Sequence, residues 1–277
     1  MLNINDLTVC YYSNQPSALS SQQKNLKAEG CKLTAVDNIR LRIPEGSIFA
    51  LIGESSCGKT TLGLSITNLI DPKDGKIVAG SVVLDGTNIL RLPPNKMRNI
   101  RGKEVSYIFQ EPASSLNPVF TIGEQIGEAL LIHKLATKSN LKKKVLTALG
   151  QARLDDPERV FDSYPHELSG GMKQRAMIAM AISTKPKLLV ADEPTTALDV
   201  DTEKEILDLL KSLRDELGLS VLVITHDISM IKGFADMIAV MYEGKVIEVA
   251  DTETLFRKPK QEYTKLLITS MPENLRL

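Results

Sequence analysis

An α/β fold is predicted by two features of the sequence. Short apolar runs end, one after another, in polar residues, and one of them leads through a glycine loop into a helical pattern. The runs are residues 47–52, 105–109, 187–191 and 220–224. They are followed by the loop 53–60, by Gln110, by Asp192-Glu193-Pro194 and by Thr225-His226-Asp227. Ligands of open α/β sheets sit outside the carboxyl ends of the strands, so these endings are where chemistry is expected.

The elements follow in order. Residues up to about 46 read as short strands, the first being Leu7-Thr8-Val9-Cys10 with Tyr11 at its end. Residues 13–30 interrupt them with serine, glutamine, asparagine and lysine, and are expected to form an exposed polar loop. The run 47–52 suits a buried strand. GESSCGKT at 53–60 fits the pattern GxxxxGK(S/T), and residues 61–70 suit a helix stopped by Asp71-Pro72. Residues 80–86 read as a strand with a turn. Residues 112–183 are mostly helical, with helix spacing over 122–135, 141–149 and 171–182. LSGG at 168–171 opens the last of these. Residues 202–217 form another amphipathic helix, and a small helical tail begins near Asp251.

The chemistry follows from the strand endings. Backbone N–H groups in the glycine loop and at the helix start converge on anionic oxygens. Lys59 adds a point charge for the outer phosphates of a nucleotide, and Thr60 offers a hydroxyl to Mg²⁺. Two carboxylates at the end of a buried strand are costly without a task. Asp192 is read as a metal ligand, and Glu193 as the group that orients or deprotonates water. His226 repeats the strand-end pattern and is read as a γ-phosphate contact; the Gln110 amide is read as reaching Mg²⁺ or the attacking water. Cys57 lies inside the loop, where the N–H dipoles and Lys59 are expected to favour its thiolate.

Composition sets bounds. In 277 residues, 43% are hydrophobic and 25% charged, as in a soluble globular protein. No run of about eighteen apolar residues exists to span a membrane, and the first residues lack a secretory layout, so a cytoplasmic location is expected. With 34 basic and 34 acidic residues there is no general attraction to nucleic acid, and none is expected as a partner. Three scattered cysteines, Cys10, Cys31 and Cys57, argue for a reducing compartment and against a disulfide framework.

Together, GESSCGKTT at 53–61, Gln110 in IFQEP, LSGGMKQR at 168–175, LLVADEP at 188–194, ALD at 197–199 and THD at 225–227 resemble the ATPase subunit of an ABC transporter. FQEPASSLNPVFTIGEQI at 109–126 and LFRKPKQEYTKLL at 255–267 resemble the dipeptide, oligopeptide and nickel importer ATPases. The resemblance implies a P-loop NTPase (RecA-like) core with a small antiparallel β-subdomain, over residues 1–111 and 184–250. It also implies an inserted helical signature subdomain at 112–183 and a C-terminal helical tail at 251–277.

Roles carry over by the same resemblance. Gly53, Glu54, Ser55, Ser56, Cys57, Gly58, Lys59, Thr60 and Thr61 match the loop that holds the ATP phosphates. Asp192 matches the metal aspartate, Gln110 the glutamine that links the ATP site to the membrane subunit, Glu193 the general base and His226 the switch histidine. Ser169, Gly170 and Gly171 match the signature that binds, in trans, the ATP held by an opposing subunit, and Asp199 matches the D-loop aspartate. Tyr11 matches the aromatic that stacks on adenine, with Tyr12 as the alternative. Ser56 replaces a glycine usual in the family, Lys173 an arginine, and Gln261-Glu262 a His-Pro pair. A serine at 56 strains the loop if positive φ is needed there.

The partners so implied are two membrane-spanning permease subunits, a second and non-identical ATPase subunit, and indirectly an extracytoplasmic solute-binding protein. The implied location is peripheral, on the cytoplasmic face of the inner membrane. The alternative is a soluble ABC ATPase uncoupled from transport; the single cassette and the 109–126 string favour the importer. Peptide and nickel substrates both stay open, as does a homodimer against a heterodimer of ATPases.

Overall fold

The computed structural model describes residues 1–12 and 31–271. The expected polar loop at 13–30 lies outside them. The chain divides into two compact units, Met1–Pro93 with Leu222–Leu277, and Pro94–Val221.

The first unit opens with β1 (Leu2–Tyr11) and β2 (Leu33–Ile43), antiparallel from Leu2↔Ile43 to Tyr11↔Leu33. Leu2, Ile4, Leu7 and Val9 are buried, and the register slips where Asp6 takes φ 50. Next comes β3 (Ile48–Ile52), buried at every residue, as an apolar run with no alternation requires. After the glycine loop comes α1 (Lys59–Ile66). It ends four residues before the expected stop at Asp71-Pro72. Asn68 enters the left-handed region at φ 51. Its N–H donates to Ser65 O at 3.1 Å, and Leu69 N–H donates to Leu64 O at 2.9 Å. That is a Schellman ending, with asparagine in the role glycine usually fills. β4 (Gly75–Leu84) then pairs antiparallel with β1 and turns through Asp85-Gly86, both at positive φ, into β5 (Thr87–Asn88). The order in this antiparallel sheet is β2-β1-β4-β5.

Cys10 and Cys31 are joined by a disulfide, with Cα atoms 5.6 Å apart. This overturns the expectation of none. The pairing of Tyr11 with Leu33 draws the two ends of the intervening segment together, so a sequence separation of 21 becomes contact. By the chain-entropy account such a loop contributes about 3 kcal/mol. Reductant, or Cys10→Ser, is therefore expected to lower the urea midpoint of this unit; coincident unfolding curves would contradict it.

The second unit holds α2 (Pro94–Ile100), β6 (Val105–Ile108), α3 (Pro112–Ser115), α4 (Ile122–Ile132), α5 (Leu141–Gln151), α6 (Pro157–Asp162), α7 (Gly170–Ile182), β7 (Leu188–Asp192) and α8 (Val200–Leu217). α4 starts at a reciprocal capping box between Thr121 and Glu124. α7 is capped by Ser169 and α8 by Asp199; α8 stops at Gly218 with φ 66. β6 and β7 are parallel, with Val105↔Leu188 through Ile108↔Ala191. The chain then returns through β8 (Ser220–Thr225), wholly buried. In the first unit β9 (Met237–Tyr242) runs parallel to β3, and β10 (Lys245–Asp251) is antiparallel to β9. α9 (Thr252–Arg257) and α10 (Glu262–Thr269) close the described chain. No helix among the described residues is long and apolar enough to cross a membrane.

Candidate functional site

In the first unit, residues 53–58 connect β3 to α1, and backbone crowding dictates their glycines. A Cβ on Gly53 would lie 2.2 Å from Met241 O, and one on Gly58 would lie 2.1 Å from Ala35 O. Gly58 also sits at φ 105, ahead of α1, with no side chain capping the helix. The first N–H groups of α1 therefore receive no side-chain cap at Gly58. Lys59 is only 6% exposed, and its Nζ donates to the carbonyls of Gly53 and Glu54, both at 2.8 Å. The lysine thus closes the loop from within. Glu54, Ser55 and Thr60 are exposed, while Thr61 is buried.

Ser56 has φ 70, so the substitution for glycine does fall where a side chain is strained. The left-handed region costs a non-glycine residue about 1–2 kcal/mol, and the entropy a glycine adds to the unfolded chain offsets about 0.4–1 kcal/mol of that. Ser56→Gly is expected to stabilise the protein by up to about 1 kcal/mol. Thermal melts of the two proteins check this; a lower midpoint in the glycine variant would contradict it.

Cys57 departs from expectation. Burial pushes its thiol above the usual range, outweighing the attraction of the Lys59 ammonium and the nearby N–H groups. The neutral thiol is favoured, because the side chain loses water before it gains enough positive charge.

Tyr11 and Tyr12 are both half-buried. Tyr11 is hydrogen-bonded through its hydroxyl to Thr61 Oγ1 at 3.3 Å, which places it against the start of α1. Tyr12 instead faces the Lys76 ammonium, 5.8 Å from its ring centre. His226 follows β8 and is exposed. The next residue folds back, with Asp227 N–H donating to Thr225 Oγ1 at 3.1 Å.

The second unit holds the other expected residues. Asp192, at the end of β7, is 2% exposed, and its Oδ2 accepts from Tyr107 Oη at 2.7 Å. Tyr107 lies on the neighbouring strand β6 and was not foreseen from sequence; the cue available was a tyrosine beside a strand that ends in aspartate. Glu193 takes φ 50 and its Oε2 accepts from Thr196 Oγ1 at 3.2 Å, which orients the carboxylate. Gln110, just past β6, is exposed.

Ser169 and Gly170 are exposed at the start of α7, where Ser169 Oγ accepts from Met172 N–H at 3.3 Å. A Cβ on Gly171 would come within 2.9 Å of Thr202 Cγ2, so α7 and α8 approach closely at that point. Asp199 caps α8 by accepting from Thr202 N–H at 2.9 Å and Thr202 Oγ1 at 2.8 Å. These hydrogen bonds hold its carboxyl below the usual range. Its negative charge then sits at a helix N-terminus, where it is favoured.

Mg²⁺ is a hard cation that prefers carboxylate, hydroxyl and phosphate oxygens, and each of the three expected ligands, Thr60, Gln110 and Asp192, carries an oxygen donor of its own. Asp192 fits best. It is a buried carboxylate with one oxygen fixed by Tyr107.

Comparison with known proteins gives the family. The family model described as ABC transporter matches residues 36–196. A probable peptide ABC transporter ATP-binding protein of Sinorhizobium fredii is 43% identical over 242 residues, 87% of this chain and 72% of that protein. The oligopeptide transport ATP-binding protein AppD of Bacillus subtilis is 45% identical over 240 residues, 87% of this chain and 73% of its own length. Among solved structures, a dimeric post-hydrolysis ATP-binding cassette bound to ADP and Pi superposes with a TM-score of 0.75. It is 29% identical, and the match covers 91% of this chain and 99% of that one.

Proposed function

The chain belongs to the ABC transporter ATPase family, and on that premise we propose that it is the ATP-hydrolysing subunit of an importer for peptides or a related small solute. It has the fold of an ABC cassette, and membership carries ATP binding and hydrolysis with it. The peptide assignment rests on the relatives, which are named for peptide and oligopeptide transport.

The observation that carries the ATP site is the loop 53–60. Its two collision-limited glycines and the buried Lys59 make a backbone cradle for phosphates. Tyr11, hydrogen-bonded to Thr61, is the aromatic favoured for adenine. Thr60, Gln110 and Asp192 would hold Mg²⁺, which when bound neutralises charge on the phosphates. Glu193, oriented by Thr196, takes the proton of the attacking water, and His226 contacts the γ-phosphate.

Ser169, Gly170 and Gly171 then act on ATP held by a second ATPase subunit, so two chains enclose two nucleotides. The exposure of Ser169 and Gly170 at the start of α7 supports that role. Asp199 caps α8, whose Thr202 packs against Gly171. A non-identical ATPase and two permease subunits complete the complex at the cytoplasmic face of the membrane, with the helical segment 112–183 as the part that meets the permeases. A solute-binding protein delivers the substrate from outside. Purification of the tagged chain from native membranes tests this arrangement. Permease subunits should accompany it; a chain recovered only from the soluble fraction, without them, would overturn the importer reading.

A further inference from the structure

The phosphate loop is also held from outside, by the last helix of the described chain. Glu54 N–H donates to Tyr263 Oη at 2.9 Å, across 209 positions of sequence. The Tyr263 ring leans on Tyr242 with centres 4.4 Å apart. The turn after Tyr242 reaches the same loop, where Gly244 N–H donates to Cys57 O at 3.0 Å.

The atom that Tyr263 holds matters. Gly53 O and Glu54 N–H belong to one peptide plane. Its oxygen accepts from Lys59 Nζ at 2.8 Å and its N–H donates to Tyr263. That plane follows a glycine, the residue with the freest backbone, so pins on both edges limit its rotation. Burial pushes the Tyr263 phenol up to about 12, so its oxygen stays protonated and uncharged throughout the neutral range.

Tyr263 is itself anchored. Glu248 on β10, 8% exposed, accepts from Lys260 N–H at 2.9 Å and Gln261 N–H at 3.0 Å, just ahead of α10. Burial alone would raise the Glu248 carboxyl. The nearby Thr264 hydroxyl and these two N–H groups outweigh it and hold the group below its ordinary range. An ionised Glu248 thus fixes the start of α10, and α10 delivers Tyr263 to the loop.

We propose that Tyr263 is a positioning residue for ATP binding, pinning the Gly53–Glu54 peptide so that Lys59 is held for the phosphates, with Glu248 setting Tyr263 in place. This rests on the loop being the ATP site. It gives the C-terminal tail a direct hold on that site.

Tyr263→Phe keeps the ring and its contact with Tyr242 but removes the acceptor. In the full chain this change is expected to weaken ATP binding about fivefold, the loss of roughly one net hydrogen bond. Amide exchange at Glu54 should quicken, while the thermal midpoint stays close to wild type. Glu248→Ala should weaken ATP binding by a similar factor, and Tyr263→Phe added to it should cause little further loss. Calorimetric titration with ATP and hydrogen exchange of the loop supply the readouts. Wild-type affinity and wild-type exchange at Glu54 in Tyr263→Phe would overturn the proposal. So would a fall in affinity matched by a general fall in stability, since that marks a merely structural role. If the wild-type chain bound no ATP, the loop reading itself would fail, a result distinct from either.

Discussion

Glu193→Gln is expected to lower ATP turnover by about 10²- to 10⁴-fold while leaving ATP binding intact. The glutamine side chain has nearly the same shape and keeps a carbonyl oxygen for Thr196 Oγ1, which Glu193 accepts from at 3.2 Å. What it loses is the capacity to take a proton. Asp192 and its bond from Tyr107 are untouched, so the proposed metal position at the end of β7 is preserved. Phosphate release and nucleotide titration, run on the same preparation, separate the two effects. Chains holding ATP should accumulate in the paired state. Turnover within a few-fold of wild type would remove Glu193 from the role of base.

Gly58→Ala is expected to abolish ATP binding and to destabilise the first unit by about 3 kcal/mol, from left-handed strain and overpacking together. The new Cβ would lie 2.1 Å from the Ala35 carbonyl oxygen, a backbone atom that cannot swing aside as a flexible side chain can. The backbone there is also at φ 105, a conformation unfavourable for alanine. Gly150 in α5 supplies the comparison, because a Cβ there meets nothing within 4 Å. Gly150→Ala should be neutral or slightly stabilising, since alanine is the better helix former. Urea unfolding and ATP titration of both variants check the contrast. Equal stability of the two would mean that the loop adjusts without cost.

Much of this was legible from the sequence because it is local. The strand, glycine loop and helix around residues 48–66 are signalled within about twenty positions, and the helix starts at Ser169 and Asp199 carry their own capping side chains. The end of α1 was misjudged because Asn68 closes it before Pro72 can. α2 and β9 went unread, since neither ends in a residue that advertises chemistry.

The non-local features were hidden for a different reason. The Cys10–Cys31 bridge depends on a β1–β2 register that composition does not reveal. Tyr107 reaches Asp192 over 85 positions and Tyr263 reaches Glu54 over 209, contacts that exist only once strands and tail have packed. Cys57 was misjudged in sign, because charge is visible in a sequence and desolvation is not.

ATP hydrolysis by the membrane-extracted complex, measured with and without its peptide-loaded solute-binding protein, tests the central claim most directly. The expected result is a rate that rises when the loaded receptor is added and disappears when the complex carries Glu193→Gln. A rate indifferent to the receptor and unaltered by Glu193→Gln would contradict the assignment of this chain as the hydrolytic subunit of a peptide importer.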